Sequence, residues 1–253
     1  MKISMFQFDP VWEDKQQNME RITGILESAK IDSELLIFPE MTLTGFSMNP
    51  KPLAESIEGD SAQFFKNLAI KYGTNVVAGI IESHENNFYN TLLVYSPIGE
   101  LTGSYRKIHP FSLSGEHLHY TGGNNPVIIE LNKISVGLSI CYDLRFPELF
   151  RQYAKERVEL IINIANWPVP RINHYEALLK ARAIENLCFV AGVNRCGNDP
   201  AGSYNGRSSI YAPLGALVNE IIENESIITS NIDFSEVYSV RNKLSFLDDI
   251  KLI

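Results

Sequence analysis

The sequence predicts an α/β fold in which two mixed β-sheets pack face to face with helices outside, a four-layer α-β-β-α sandwich. Three observations predict it. Short apolar runs alternate with segments whose apolar residues fall at helical spacing, and this holds early and late in the chain. Turn-rich tetrapeptides separate neighbouring apolar runs and read as hairpins. Sheets covered by helices on one face must bury the other face on something, and a second sheet meets that need.

The elements follow in order. Ile3–Phe8 reads as a strand, and Glu13–Lys30 as a helix with Met19, Ile22, Ile25 and Leu26 on one side. Leu35–Phe38 is a short apolar strand closed by Pro39. Ser61–Tyr72 reads as a helix and Asn75–Ile81 as a strand. Thr91–Tyr95 and Leu101–Arg106 flank Ser96-Pro97-Ile98-Gly99, a hairpin signal. Val127–Leu131 and Ile134–Ile140 are strands, Pro147–Glu156 a helix and Leu160–Ile164 a strand. Asn173–Asn186 reads as a helix and Phe189–Val193 as a strand. Ser208–Tyr211 and Ala216–Ile222 flank Pro213-Leu214-Gly215, a second hairpin. Ile227–Ile232 is the last strand, followed by a short helix after Phe234.

No repeat, low-complexity segment or Gly/Ser linker divides the 253 residues, so residues 1–253 are expected to form one domain. The net charge is -8 with no block of Lys or Arg, which speaks against a nucleic-acid partner. No stretch nears the roughly 18 apolar residues of a membrane span, and Asp9 interrupts the start too early for a signal peptide. Cys141, Cys188 and Cys196 are odd in number, which suits free thiols in a reducing cytoplasm better than a disulfide framework.

Three strand ends carry chemistry. In Leu35-Leu36-Ile37-Phe38-Pro39-Glu40 a carboxylate follows a buried strand directly. Burial would raise its pKa and fit it to accept a proton, although a solvated loop acid is the other reading. In Tyr105-Arg106-Lys107-Ile108-His109-Pro110 two cations are adjacent, so on a strand they face opposite ways and one can reach inward. In Ile134–Cys141 apolar and small residues alternate cleanly and Cys141 ends the small-residue row, just before a turn into the helix at Pro147. A thiol at a strand-to-helix turn is placed as a nucleophile is in α/β hydrolases, and backbone N–H groups at such a turn can hold an oxyanion. Together the three form a chemical set: a thiol, an ammonium expected to lower its pKa, and a carboxylate to move the proton. The set requires neither a metal nor an organic cofactor. His117 and His119 form an isolated H-x-H without further ligands at recognisable spacing, so no metal site is expected.

The order Glu40, Lys107, Cys141, set in FPEM, YRKIHP and CYDLRFPE, resembles the nitrilase superfamily of carbon–nitrogen hydrolases. GEHLHYTGG at 115–123, NWP at 166–168, LLKARAIEN at 178–186, VNRCG at 193–197 and GRSSIYAPLG at 206–215 extend the resemblance over essentially the whole chain. Within it, ANWP followed by HYEALLKARAIEN is most similar to the bacterial omega-amidase branch. The resemblance implies the α-β-β-α fold, a homodimer joined through helices, and hydrolysis of a small-molecule amide of the 2-oxoglutaramate type. It further implies Cys141 as nucleophile, Glu40 as general base, and Lys107 with the Tyr142 backbone N–H as oxyanion donors. Glu116, in Gly-Glu-His, matches a second family glutamate that positions Lys107 or the substrate.

Other residues carry two readings. Arg145 suits an α-keto carboxylate, or a structural pairing with Glu148. Trp167 suits the rim of a small-substrate pocket, or the core. Tyr120 and His119 are candidates for the entrance. Arg182 and Glu185 are spaced to pair on a helix, and Cys188 and Cys196 read as packing residues. A deaminated-glutathione amidase or an N-carbamoyl hydrolase would keep the same three catalytic residues. A non-catalytic scaffold would not need Glu40 and Lys107, and a thiol redox sensor would want a resolving cysteine closer in sequence.

Overall fold

The computed structural model describes residues 1–252. In chain order the strands are β1 (Lys2–Gln7), β2 (Leu35–Ile37), β3 (Asn75–His84), β4 (Asn87–Tyr95), β5 (Leu101–Arg106), β6 (Ile128–Leu131), β7 (Ile134–Ile140), β8 (Leu160–Ala165), β9 (Phe189–Asn194), β10 (Cys196–Asp199), β11 (Gly202–Asn205), β12 (Ser209–Tyr211) and β13 (Ser226–Asn231). The helices are α1 (Lys15–Ser28), α2 (Pro50–Leu53), α3 (Asp60–Tyr72), α4 (Pro147–Lys155), α5 (Ile172–Asn186) and α6 (Ser235–Lys243). Among the described residues no helix is long and apolar enough to cross a membrane.

Two mixed sheets form, in the orders β13-β1-β2-β3-β4-β5 and β12-β9-β8-β7-β6. In each the central strands are parallel and the outer ones antiparallel. Period-two alternation sorts the first sheet's side chains into two cores. Ile3, Met5, Leu35, Ile37, Val77, Leu92 and Val94 face the second sheet and join its Val136, Leu138 and Ile162. Phe6, Phe8, Leu36, Phe38, Val76 and Leu93 face outward and are covered by Ile22 and Leu26 of α1 and by Ala62 and Phe65 of α3. Helices α4 and α5 cover the second sheet with Phe150, Tyr153, Tyr175 and Leu179. The expected α-β-β-α sandwich is therefore the fold.

Local chemistry sets the boundaries where they differ from expectation. Helix α1 starts at Lys15 because the Asp14 side chain accepts the Gln17 N–H at 2.9 Å and caps it. Strands β3 and β4 run past the expected 81 and 91 to meet in a tight hairpin, pairing His84 with Asn87. The predicted strand Ala216–Ile222 does not form. Its sole ladder contact is a bridge between Tyr211 and Leu217, and the Asn219 side chain takes over, accepting from Ile210 N at 2.7 Å and donating to Ser208 O at 3.0 Å. An unpredicted hairpin, β10–β11, is closed by Asp199 Oδ1, which accepts the N–H groups of Ala201 and Gly202.

One glycine lets the first sheet hold its catalytic candidate. After β2 the chain stays against β3: Phe38 N–H donates to Val77 O at 2.8 Å and Thr42 N–H to Gly79 O at 2.9 Å. A Cβ on Gly79 would lie 2.5 Å from Met41 N and 2.8 Å from Glu40 Cα, both rigid backbone. Gly79→Ala is expected to destabilise the protein by about 1–3 kcal/mol through overpacking. It should also lower kcat, because the backbone that must yield carries Glu40. A denaturant melt with wild-type midpoint and an unchanged kcat would contradict this.

Candidate active site

Four segments deliver polar side chains to the seam between the sheets. Glu40 follows β2 and Lys107 follows β5. Cys141 follows β7, and Asn166 follows β8, the parallel neighbour of β7, whose Ile140 is in register with Ile164. The carboxyl ends of parallel strands are where open α/β sheets place their sites. Arg106 and Lys107 do face opposite ways. Arg106 grips Glu82 through two hydrogen bonds near the surface, while Lys107 is 1% exposed.

Lys107 Nζ donates to Glu40 Oε1 at 2.9 Å and to Glu116 Oε2 and Oε1 at 2.9 and 3.1 Å. Asn90 Nδ2 bridges the same carboxylates, at 2.7 Å from Glu40 and 2.9 Å from Glu116. The Asn166 N–H donates to Glu40 Oε2 at 2.7 Å, and the Phe111 N–H donates to Glu116. Burial alone would drive the Lys107 pKa down. The Glu116 and Glu40 carboxylates outweigh it and hold the pKa well above the ordinary lysine value. Lys107 is therefore an ammonium, fixed in direction.

Cys141 opens a 3₁₀ turn, Cys141–Arg145, that leads into α4 at Pro147. Its φ is 46°, a left-handed conformation that costs a non-glycine residue on the order of 1–3 kcal/mol. Asp143 holds the turn. Its Oδ2 accepts from Tyr105 O–H at 2.7 Å and Ile140 N–H at 3.0 Å, and its Oδ1 accepts from the His109 N–H at 3.0 Å and from Nδ1 at 2.7 Å. His109 also stacks on Phe146 at 3.8 Å. This buried carboxylate ties the strand end bearing Lys107 to the turn bearing Cys141. Tyr142 is second in the turn, where a backbone N–H has no partner inside the helix.

Lys107 lowers the thiol pKa as expected but is outweighed. Burial first, and then the Glu40 charge, push the Cys141 pKa well above the usual thiol value, while Lys107 and the Asn166 N–H pull it down only in part. The resting side chain is a neutral thiol. Cys188 and Cys196 are buried, and burial pushes each up to about 12.

Cys141 lies in a cavity of about 140 Å³, small against the roughly 300–1,000 Å³ of drug-sized pockets. Tyr142, Arg145 and Trp167 line it as well. The Arg145 guanidinium lies 4.8 Å over the Trp167 ring and approaches His174 Nδ1 at 3.2 Å, and among the described residues it pairs with neither Glu148 nor another acid. Trp167 serves both of its readings, packing on Tyr175 at 5.3 Å and walling the cavity. Of the two candidates for the entrance, Tyr120 is buried and donates to Ser47 O at 2.6 Å, while His119 is exposed, as is His117. Arg182 pairs with Glu185 at 2.8 Å and also donates to Leu144 O. The sequence reading missed Asn90, Asn166, Phe111 and Arg171. Only Asn166 carried a signal, its place in NWP.

A strained cysteine on a strand-to-helix turn, beside a buried Glu–Lys–Glu cluster in a two-sheet sandwich, brings together groups able to support hydrolysis. Comparison with known proteins narrows this further. The family model for carbon-nitrogen hydrolase matches residues 2–242, and the chain belongs to that family. It is similar to a 2-oxoglutaramate amidase of Bacillus subtilis, 35% identical over 98% of this chain and 97% of the relative. An omega-amidase of Escherichia coli is 35% identical over 86% of this chain and 84% of its own. Among solved structures, a CN-hydrolase superfamily protein of Xanthomonas campestris, with an arsenic adduct in its active site, superposes with a TM-score of 0.95 at 33% identity, covering 100% of this chain and 98% of the other. The chain is accordingly an amidase of the carbon–nitrogen hydrolase superfamily.

The electrostatics generate a prediction. Glu40 raises the thiol pKa, so Glu40→Gln should shift the pH profile of Cys141 alkylation by iodoacetamide toward lower pH. A profile that moves to higher pH would show that another group sets the thiol's state.

Proposed function

We propose that the protein hydrolyses the terminal amide of a small 2-oxo acid, of the 2-oxoglutaramate type, through a thioester on Cys141. The observation that carries this reading is the Glu40–Lys107 pair buried beside Cys141, near enough for both charges to act on the thiol. As Sγ attacks the amide carbon, Glu40 takes the thiol proton and the carbonyl electrons move to oxygen. Lys107 and the Tyr142 N–H hold that oxyanion. On collapse the C–N bond breaks and Glu40 gives its proton to the nitrogen, which leaves as ammonia. Water then attacks the thioester carbon, Glu40 takes a proton from it, the C–S bond breaks and the thiol regains its proton. Glu116 acts on Lys107, holding the ammonium toward the oxyanion position. A neutral resting thiol supports the scheme, because attack then needs a base at hand.

The substrate class rests on two supports. Relatives similar along most of the chain are named 2-oxoglutaramate amidase and omega-amidase. Arg145 lines the cavity with no carboxylate of its own among the described residues, which suits it to a substrate carboxylate, and Trp167 supplies an apolar wall beside it. The reading takes the whole chain as one hydrolase domain in a reducing cytoplasm, where the thiol stays reduced.

Ammonia release should be greatest for 2-oxoglutaramate in a panel with deaminated glutathione and N-carbamoyl amino acids. Cys141→Ala should keep the fold and lose turnover, and mass spectrometry of quenched wild type should reveal an acyl adduct on Cys141. Turnover surviving in Cys141→Ala would end this mechanism, and a stronger response to another panel member would replace the substrate.

The same reading makes the active species a homodimer. Ile184 of α5 is 44% exposed, and a Cβ on Gly215 would touch it, which places it beside exposed Leu214, Leu217 and Val218. Such a patch suits a self-complementary contact. Sedimentation should give a dimer that Leu214→Asp weakens; a monomeric wild type would refute this.

A further inference from the structure

Ten residues in the chain are arginines, and eight of them are spoken for. Arg21, Arg106, Arg157, Arg182, Arg195 and Arg207 pair with carboxylates, and Arg151 and Arg241 donate to backbone carbonyls. Among the described residues only Arg145 and Arg171 have neither kind of partner, and both line the cavity that holds Cys141. No Asp or Glu lines that cavity.

Each guanidinium is held by an aromatic face instead. Arg145 lies over Trp167 at 4.8 Å, and Arg171 over Phe111 at 5.4 Å. A guanidinium stacked on a ring keeps its N–H donors at its edge, free for a planar acceptor. The backbone beneath Arg171 is fixed too. Its carbonyl accepts the Trp167 indole N–H at 2.7 Å, at the junction of the 3₁₀ turn Val169–Arg171 with α5. One tryptophan thus carries one arginine on its ring and anchors the other through its nitrogen.

From this placement we infer that Arg171 is a specificity-determining residue, which with Arg145 binds a carboxylate at the substrate end remote from the scissile amide. The cavity is then polar along its length. At one end Cys141 fronts the buried cluster of two glutamates and one lysine, whose charges act on the thiol from behind the lining and whose net negative charge suits a neutral amide and disfavours an anion. Its wall holds two unpaired cations, which suits a carboxylate. An ω-amide of a dicarboxylic acid fits in one orientation, with the amide at Cys141. The inference deepens the proposed amidase function and rests on Cys141 being the reacting group, but it does not require the 2-oxo group.

The test compares kcat/KM of wild type, Arg171→Met and Arg171→Lys on 2-oxoglutaramate, succinamate and neutral butyramide. Methionine preserves a side chain on the Phe111 ring, and the Trp167 bond uses only backbone, so the fold is expected to persist; circular dichroism checks it. Losing a charged hydrogen-bonding partner should cut kcat/KM for the two acids by about 10- to 100-fold, mostly in KM, and leave butyramide within about threefold. Lysine should recover part of the loss, since it restores charge without the fork. Competitive inhibition by glutarate should weaken in parallel, a readout that needs no turnover of an acid. Equal losses on acids and butyramide, or no loss on either acid with glutarate inhibition unchanged, would overturn the inference. Should 2-oxoglutaramate prove inert while succinamate retains its dependence on Arg171, the proposed substrate fails and this assignment stands.

Discussion

The structure depends on one ammonium held between two carboxylates out of water. Lys107, Glu40 and Glu116 are each 1% exposed or less, and an ion moved into such surroundings alone is strongly penalised. The cluster is tolerable because its acceptors are filled: Asn90 bridges both carboxylates, and the Asn166 and Phe111 N–H groups take further oxygens. All but Asn166 come from the first sheet and the loop after β5; Asn166 comes from the second sheet, so the last Glu40 acceptor is filled only when the sandwich closes. Removing one partner from a buried ion pair costs about 3–5 kcal/mol, and here loss of Lys107 would strand two carboxylates at the seam without a cation. The site and the fold are therefore not separable: the layer arrangement is what makes the charges affordable.

A third carboxylate ties the site together at short range. Asp143 accepts four hydrogen bonds, from Tyr105, Ile140 and His109, and so fixes the strained turn at Cys141 to the strand end at Lys107. Burial and the Asp143 charge push the Tyr105 hydroxyl well above its ordinary pKa, so it remains a donor. This explains why YRKIHP and CYDLRFPE were recognisable as whole motifs. Only Lys107 and Cys141 face the cluster, while Tyr105, His109 and Asp143 set the angle between them.

What was legible in the sequence follows from this. Buried strands announce themselves by apolar runs, and β1, β2, β7, β8 and β9 were placed to within about two residues. The β10–β11 hairpin was not, because Cys196–Asp199 and Gly202–Asn205 are small and polar and form by turn chemistry. Ala216–Ile222 has strand-like composition, but Asn219 supplies from its side chain what a ladder would supply from backbone. Glu40, Lys107, Glu116 and Cys141 were legible as a set, through order and motif. Asn90 was not, since one amide in an apolar strand has no periodicity, and Arg171 was not, since its importance lies in lacking a partner. The net direction of the Cys141 shift was not legible for a similar reason. Sequence reveals that an ammonium is near, but not that the thiol is buried beside a carboxylate as well.

That sign shapes how the site can work. A thiolate at Cys141 would add a third anion to a dry cluster with one cation, and burial makes each added charge more costly. Holding the thiol neutral avoids this and leaves a weak nucleophile toward chance electrophiles and oxidants, which react with the thiolate. In the proposed reaction, deprotonation coincides with attack, when the new negative charge passes to the carbonyl oxygen within reach of Lys107 and the Tyr142 N–H. The cation thus faces the charge that develops in the transition state rather than one present at rest, and an interaction that strengthens in the transition state is what accelerates the chemical step. In that scheme the two carboxylates have distinct parts: Glu40 exchanges protons repeatedly, while Glu116 keeps Lys107 charged and pointed when Glu40 is momentarily neutral. A single glutamate could not do both, which gives a physical reason for a fourth polar member behind the triad.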